Sequence, residues 1–221
     1  MSEVASLRGL ILYVDAVAPN VRRVRFFLAE RGVDVELREV DTAGGEQKTE
    51  AYLAKNPFAQ VPVLEDESGW TLSESMAICR YLDERGPENR KPLFGESSKE
   101  RAEVHMWARR VEIGLFSAAV EYGHHVHPHF AAAHEQVPQI VAIERERIET
   151  TYRRLNDQLA KSEFIAGAAF TAADIVAYSG TELARLWRLP PPADLAHLSR
   201  WHKQISQRPA SEVARYLPLS E

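Results

Sequence analysis

The chain has 221 residues, of which 45% are hydrophobic and 27% are charged, and its formal net charge is −5 at pH 7. These values are typical of a folded protein with one large or two small domains, and they argue against nucleic acid or an anionic membrane as the main partner. The sequence contains no apolar run of the roughly 18 to 20 residues that span a bilayer and no signal-peptide pattern at residues 1–8. With one cysteine, Cys79, which we expect in the core, the sequence predicts a cytoplasmic protein without disulfides.

The first part of the chain predicts alternating strands and helices. The run LILYV at 10–14 predicts a buried strand, Pro19 suits the first turn of a helix that ends at Gly32, and alternating apolar residues at 33–37 predict a second strand. A strand, a helix and a strand in close succession form a βαβ unit with parallel strands. A glycine-containing loop at 42–46 and a short helix around 50–54 follow. The predicted order β-α-β-α-β-β-α describes a small α/β layer.

The stretch 56–81 predicts a hairpin that leads directly into a helix, with its turn at 68–69. Pro62 lies within the first strand pattern and cannot donate a ladder hydrogen bond. We therefore predict that it lies in an edge strand, which leaves the backbone of Val61 open to an extended peptide ligand. A cis peptide bond before Pro62 is a further expectation.

The helix after this hairpin begins near the pair Glu74 and Ser75. The first turn of a helix offers unpaired N–H groups and the positive end of its dipole, which together bind an anion. Ser75 can add a hydroxyl donor to the same anion, while the carboxylate of Glu74 can bind an ammonium group beside it. The pair suits an amino-acid zwitterion, although an edge proline and an ordinary helix cap explain the same residues equally well.

Beyond a break at 86–98 that is rich in proline, glycine and polar residues, the pattern is helical. Apolar residues at spacings of three and four predict helices over 104–122, 140–159 and 198–205. Thr171 and Asp174 have the spacing of a capping box directly before an apolar run. The sequence thus predicts two domains, an α/β domain at 1–86 and an all-helical domain at 98–221, joined by a linker at 87–97.

These segments together resemble the cytosolic glutathione transferases. NPFAQVPVL, LSESMAICRYL, the proline-rich linker and FTAADI follow one another as in that family, and the resemblance covers nearly the whole chain. It implies a thioredoxin-like N-terminal domain that binds glutathione as co-substrate, and a helical bundle that forms most of the pocket for an electrophile. It also implies a homodimer in which Phe58 inserts into a pocket of the partner subunit; a contact of Phe58 within its own subunit is the alternative.

The resemblance implies a set of glutathione-binding residues. In that family the residue before the cis proline pairs through its backbone with the cysteinyl part, the Glu-Ser pair holds the γ-glutamyl ammonium and carboxylate groups, and polar or basic side chains hold the glycyl carboxylate. Carried over by position, these residues are Gln47, Lys48, Gln60, Val61, Pro62, Glu74 and Ser75.

The group that activates the thiol departs from the family's common pattern. Family members usually place a Ser, Cys or Tyr near the start of the first helix, where this chain has Ala18. Tyr13 can be aligned with the catalytic tyrosine of the animal classes, although its position in a strand also suits the core. Asn20 can donate N–H groups to a thiolate, since lowering a thiol pKa from about 8.5 to about 6.5 needs only about 2.7 kcal/mol. A bond from Asn20 to the local backbone is the alternative.

Five of the eight histidines fall in HHVHPHFAAAH at 124–134. Their spacing matches no zinc pattern, so we expect no metal. The segment RVEIGLFSAAVEYGHHVHP resembles the equivalent region of a fungal and bacterial branch without the N-terminal hydroxyl, in which a histidine and a serine position a water near the thiol. His124 or His125 is therefore a catalytic candidate, and a polar pocket wall is the alternative. Candidate wall residues for an electrophile pocket are Trp107, Val111, Tyr122 and Phe130.

Three functions compete at this point. The first is a detoxifying glutathione transferase that conjugates the glutathione thiolate to a small hydrophobic electrophile. The second is a glutathione-dependent disulfide or peroxide reductase, because thiolate attack on sulfur or oxygen asks little of a protein beyond stabilising the thiolate. The third is a non-catalytic glutathione-binding or regulatory protein, which the missing Ser, Cys or Tyr favours.

Overall fold

The computed structural model describes residues 5–132 and 135–216, and the chain divides into two units, Met1–Leu93 and Phe94–Glu221. The division falls within the predicted linker at 87–97. Each unit has its own buried apolar core.

The first unit is a four-stranded mixed sheet with helices. The strands are β1 (Ala5–Val14), β2 (Val33–Glu39), β3 (Val63–Asp66) and β4 (Thr71–Ser73), and the helices are α1 (Pro19–Arg31), α2 (Glu50–Leu53) and α3 (Ser75–Asp83), with a 3₁₀ turn at Glu46–Lys48. The sheet order is β2-β1-β3-β4, with β1 and β2 parallel and the other pairs antiparallel. The predicted order β-α-β-α-β-β-α and the thioredoxin-like fold are confirmed.

The prediction that Pro62 lies in an edge strand is wrong. β3 lies between β1 and β4, so it is a central strand of the sheet. Pro62 is accommodated because β3 begins one residue later, at Val63, and Pro62 therefore owes no hydrogen bond to the ladder. The expected cis peptide bond between Val61 and Pro62 is present.

A buried ion pair joins the last residues of α1 and α3. Arg31 Nε donates to Asp83 Oδ1 at 2.8 Å, and both side chains are only 3% exposed. Arg31 also donates to the carbonyl oxygens of Pro87 and Arg90, and the same oxygen of Asp83 accepts from the backbone N–H of Leu93. The segment after α3 is thereby held against the ends of both helices.

The second unit is helical throughout its described residues. Its helices are α4 (Ser98–Val111), α5 (Ser117–Val126), α6 (Pro138–Leu159), α7 (Ala172–Leu186) and α8 (Ala196–Ser206), with a π-helical turn at Glu112–Phe116 and 3₁₀ turns at Pro128–Phe130 and Pro209–Ala214. The predicted stripe runs from α4 through the π-helical turn into α5, and it is buried at Val104, Ala108, Val111, Leu115, Ala118 and Tyr122. Among the described residues, no helix is long and apolar enough to cross a membrane.

The predicted capping box at Thr171 and Asp174 is present at the start of α7. Asp174 is fully buried, and its carboxylate accepts hydrogen bonds at 2.9 Å from the backbone N–H groups of Thr171 and Ile165 and from the indole N–H of Trp201. Burial raises the pKa of Asp174 to about 6, even though these donors act in the opposite direction. One side chain therefore joins α7, α8 and the loop between α6 and α7.

We expect Asp174→Ala to lower the free energy of unfolding by on the order of 3 kcal/mol, because it leaves buried N–H donors without an acceptor. Urea denaturation followed by circular dichroism measures the loss, with Asp157→Ala on the exposed side of α6 as the control. An unchanged midpoint for Asp174→Ala would contradict this role.

The contribution of the Asp174 carboxyl group to stability depends on pH. Since its pKa is about 6 in the folded protein, above the ordinary value, the folded state binds the proton more tightly than the unfolded state. The contribution of Asp174 to stability is therefore largest below about pH 4 and falls as the pH rises to about 6. This pH-dependent contribution to the free energy of unfolding should be absent in Asp174→Asn.

Candidate functional site

A small pocket opens in the first unit between the starts of α1 and α3 and the loop before β3. Its lining residues are Asn20, Asn56, Gln60, Val61, Pro62, Glu74 and Ser75. All except Asn56 are residues that the sequence analysis had singled out.

The start of α3 has the features of an anion site. Ser75 is the first residue of the helix and is 3% exposed, and Glu74 precedes it with φ 72° and ψ 112°. A residue other than glycine held at a positive φ costs on the order of 1–3 kcal/mol, and such strain concentrates at functional sites. In the described structure no side chain caps this helix start and no acidic residue lies in its first turn, so its N–H groups remain for an anion.

The start of α1 faces the same pocket. Asn20 is the second residue of this helix, after Pro19, and within the described residues this start also lacks a side-chain cap and an acidic first turn. The oxygen Oδ1 of Asn20 accepts a hydrogen bond from Arg23 Nη2 and a longer one, of 3.5 Å, from Ser75 Oγ. Ala18, which the sequence resemblance aligns with a hydroxyl or thiol, is the N-cap and has neither group.

The backbone before the cis proline is fixed by two residues that the sequence analysis missed. The carbonyl oxygen of Gln60 accepts from Tyr52 Oη at 3.0 Å and from Asn56 Nδ2 at 2.8 Å. Asn56 is 3% exposed and also accepts the backbone N–H of Phe58. Burial raises the pKa of Tyr52 to about 12, so its hydroxyl keeps the proton that it donates. The asparagine of the NPF turn was the available signal, because asparagine often binds its own turn.

The structure places Tyr13 in a different cluster. Its hydroxyl donates to Glu65 Oε2 at 2.6 Å and accepts from Arg38 at 3.0 Å, and Lys55 pairs with the same carboxylate at 2.7 Å. Lys55, followed by Tyr13, holds the pKa of Glu65 below its ordinary range, so this acceptor stays ionised. The described residues that line the pocket do not include Tyr13. Its hydroxyl is committed to this cluster.

Gln47 and Lys48 lie together on the 3₁₀ turn that precedes α2, outside the pocket lining. Gln47 Nε2 donates to the carbonyl oxygen of Thr42 at 3.0 Å, and its Oε1 is buried without a partner among the described residues. Lys48 is exposed to solvent. Their assignment to the glycyl carboxylate stays a prediction.

His124 and His125 lie in the last turn of α5, in the second unit. His125 Nδ1 accepts the backbone N–H of Val137 at 3.1 Å, and Nε2 lies 3.1 Å from Glu121 Oε1, so both ring nitrogens have partners. His124 is half-buried and packs edge-on against Phe130, with ring centroids 4.8 Å apart. His125 therefore ties α5 to the start of α6, while Nδ1 of His124 lies 3.8 Å from Glu121 Oε2.

Within the described ranges, no group of three or more His, Cys, Asp and Glu side chains could hold a metal ion. His134, the last histidine of the run, lies outside the described residues. Cys79 is fully buried in α3, and burial raises the pKa of its thiol, which suits a core residue.

A second and larger cleft lies in the helical unit between α4, the π-helical turn and α6. Its lining residues are Trp107, Arg110, Val111, Ile113, Gly114, Ile143, Glu146, Arg147, Thr150, Thr151, Arg154 and Leu155. Ile113 and Ile143 are 53% and 54% exposed, so this cleft presents apolar surface to solvent. Three arginines against one glutamate make it electropositive.

The four candidate wall residues do not share one cleft. Trp107 and Val111 line the cleft between α4 and α6. Tyr122 is buried, and its hydroxyl accepts from Arg145 at 3.0 Å. Phe130 lies beside the histidines at the end of α5.

The chain combines a thioredoxin-like unit, which has a small pocket beside a cis proline, with an all-helical unit. The family model for the N-terminal domain of glutathione S-transferases matches residues 17–85, and the model for their C-terminal domain matches residues 119–209. The chain belongs to the glutathione S-transferase family of enzymes.

Individual relatives agree with this assignment. Glutathione S-transferase 2 of Saccharomyces cerevisiae is 29% identical over 205 residues, which cover 91% of this chain and 87% of the relative. Among solved structures, a glutathione S-transferase domain-containing protein of Marinobacter aquaeolei is 38% identical, with a TM-score of 0.84 and coverage of 90% of this chain and 98% of that one. A glutathione transferase of Phanerochaete chrysosporium, solved in complex with oxidized glutathione, is 27% identical, with a TM-score of 0.79 and coverage of 93% of this chain and 94% of that one.

We expect Ser75→Ala to weaken glutathione binding by about 10- to 100-fold, since a hydrogen bond to a charged group contributes about 1.5–3 kcal/mol. Isothermal titration calorimetry with glutathione measures the change. Ser68→Ala in the hairpin turn, where the hydroxyl binds Asp66, is the matched control and should bind normally. Equal affinities of the two variants would remove Ser75 from the site.

Proposed function

We propose that this enzyme binds glutathione in the pocket between α1 and α3 and conjugates its thiolate to a small hydrophobic electrophile. The observation that carries this proposal is the meeting of two helix starts, both without a side-chain cap in the described structure, beside the backbone of Val61. Glutathione needs sites for a zwitterion, for a backbone and for a thiolate, and the pocket supplies a group suited to each.

In the proposed complex the γ-glutamyl carboxylate lies at the start of α3, where it accepts from backbone N–H groups and from Ser75 Oγ. The exposed carboxylate of Glu74 binds the ammonium group beside it. The cysteinyl part pairs with the backbone of Val61, which the bonds from Tyr52 and Asn56 to the preceding carbonyl hold in place. Gln47, Lys48 and Gln60 remain the proposed partners of the glycyl carboxylate.

The thiolate is stabilised in this proposal by the amide N–H groups of Asn20 and the start of α1. Hydrogen bonds to a charged acceptor contribute about 1.5–3 kcal/mol each, which is comparable with the requirement of about 2.7 kcal/mol for a shift of two pKa units. The thiolate then attacks an electrophilic carbon, forming a carbon–sulfur bond as the leaving group departs with its electron pair. An addition to an activated double bond instead takes a proton from solvent.

We expect Asn20→Ala to raise the pKa of the bound glutathione thiol by one to two units, and kcat/KM near pH 6.5 to fall by about 10- to 100-fold. The ultraviolet absorbance of the thiolate, titrated with pH in the presence of protein, measures the pKa. Tyr13→Phe, His124→Ala and His125→Ala are titrated alongside, because each removes a competing candidate. A shift in one of these variants, with none in Asn20→Ala, would transfer the role to that residue.

Reduction of a disulfide or a peroxide is the second candidate function. The observation that favours it is that Ala18 offers no hydroxyl or thiol at the start of α1. Thiolate attack on sulfur or oxygen needs little from the protein beyond stabilisation of the thiolate, for which Asn20 is the proposed donor. Turnover of an aryl halide compared with turnover of a glutathione-linked disulfide separates the two activities. An unshifted thiol pKa together with no turnover of either would indicate a glutathione-binding protein without catalysis.

A homodimer is the proposed assembly. Phe58, at 76% exposed, projects from the loop before the cis proline, and the apolar cleft between α4 and α6 can accept such a ring from a second copy. Burial of an aromatic anchor in a pocket is a typical hot spot of an interface.

We expect Phe58→Ala to weaken the dimer by at least about 30-fold, because truncation of a buried aromatic anchor at a hot spot costs about 2 kcal/mol or more. Ile143→Asp should have the same effect from the cleft side, whereas Leu37→Ala, an exposed apolar residue of β2, serves as the control. Sedimentation velocity across a dilution series gives the dissociation constants. A monomeric native chain, or a dimer that Phe58→Ala leaves intact, would contradict the proposed interface.

A further inference from the structure

Arg23 is a charged residue placed unusually deep in the first unit. It lies on α1 and is 3% exposed, although arginine is almost never fully buried unless it is paired. Its position three residues after Asn20 puts both side chains on one face of the helix. Arg23 Nη2 donates to Asn20 Oδ1, so the guanidinium lies directly behind a residue that lines the pocket.

This contact fixes which end of the Asn20 amide is the acceptor. A guanidinium group carries only donors, so the atom facing Arg23 has to be the oxygen. Ser75 Oγ also donates to that oxygen. Ser75 has one hydroxyl proton, so when it donates to the γ-glutamyl carboxylate in the proposed complex, Arg23 alone still holds Oδ1. The NH₂ group of Asn20 is then the end left for the pocket, and within the described residues it has no acceptor of its own.

We propose that Arg23 is a positioning residue for thiolate formation: its guanidinium holds the carbonyl oxygen of Asn20, so that the amide N–H groups donate to the glutathione sulfur. This inference rests on the thiolate-binding role proposed for Asn20. In the step concerned, the S–H bond of glutathione breaks, the proton passes to solvent water, and the electron pair stays on sulfur. No group is oxidised or reduced.

The charge of Arg23 also acts through the amide. A cation at the carbonyl oxygen polarises the amide and strengthens its N–H groups as donors, because linked hydrogen bonds reinforce one another at low dielectric constant. The same charge lowers the pKa of the buried Cys79 thiol, against the larger effect of burial, which raises it.

The test is the pKa of the glutathione thiol in complex with Arg23→Met. We expect a rise of about one unit, which means about tenfold less thiolate at a fixed pH below the pKa. The affinity for S-methylglutathione, which has no ionisable thiol, should change by less than about twofold. Arg25→Met, which removes the same charge from the same helix, is the control and should leave the thiol pKa unchanged. A parallel loss of S-methylglutathione affinity in Arg23→Met would indicate a structural role and overturn the proposal.

A double-mutant cycle shows whether Arg23 acts through Asn20. The pKa measured with Asn20→Ala should not rise further when Arg23→Met is added, because the positioned group is already absent. Additive shifts would overturn the proposal. If Asn20→Ala alone has no effect, the thiolate role of Asn20 fails and this inference fails with it; if Asn20→Ala raises the pKa and Arg23→Met does not, only this inference fails.

Two conservative variants keep the proposal testable if Arg23→Met does not fold. Arg23→Lys retains a cation and a donor, and it should raise the pKa less than the loss of Asn20 does. Asn20→Asp retains the partner of Arg23 but replaces the N–H groups by a carboxylate, so the thiol pKa should rise above that of Asn20→Ala. A pKa below that of Asn20→Ala would overturn the proposal.

Discussion

Two helices that begin at one pocket define what this protein can bind. α1 and α3 both start there, and in the described structure neither start is neutralised by a side-chain cap or an acidic first turn. Each start carries about half a positive charge on its unpaired N–H groups. Because two such ends meet, the pocket favours a ligand with two anionic groups, and a tripeptide with an α-carboxylate and a thiolate meets that condition.

The opposite ends of the same helices are held by the buried ion pair. Arg31 is the last residue of α1 and Asp83 the last of α3, so a contact of 2.8 Å joins the two helices at these ends. Removing one partner of a buried pair typically costs 3–5 kcal/mol, because the remaining charge stays buried without compensation. The two helices that begin at the pocket are therefore also joined at their other ends by a buried ion pair.

What the sequence could predict was set by the range of each interaction. The capping box at 171–174, the helix start at Ser75 and the cis bond before Pro62 arise from residues a few positions apart, and local spacing indicates them. The central position of β3 depends on its pairing with β1. The cluster around Tyr13 depends on Glu65, which is 52 positions away in the sequence. A local sequence pattern does not indicate contacts between residues so far apart in the chain.

The contact between Asn20 and Arg23 is different, because a spacing of three on a helix was visible in the sequence. The structure buries Arg23, since the apolar side of α1 is wide enough to include the residue behind the pocket. This burial bears on the proposed chemistry of the site. A family hydroxyl or thiol can itself exchange a proton with the ligand, whereas an amide held by a guanidinium cannot titrate between pH 5 and 9, so it supports the thiolate without taking up its proton. With the role proposed for Asn20, ionisation of glutathione in this pocket would deliver its proton to water.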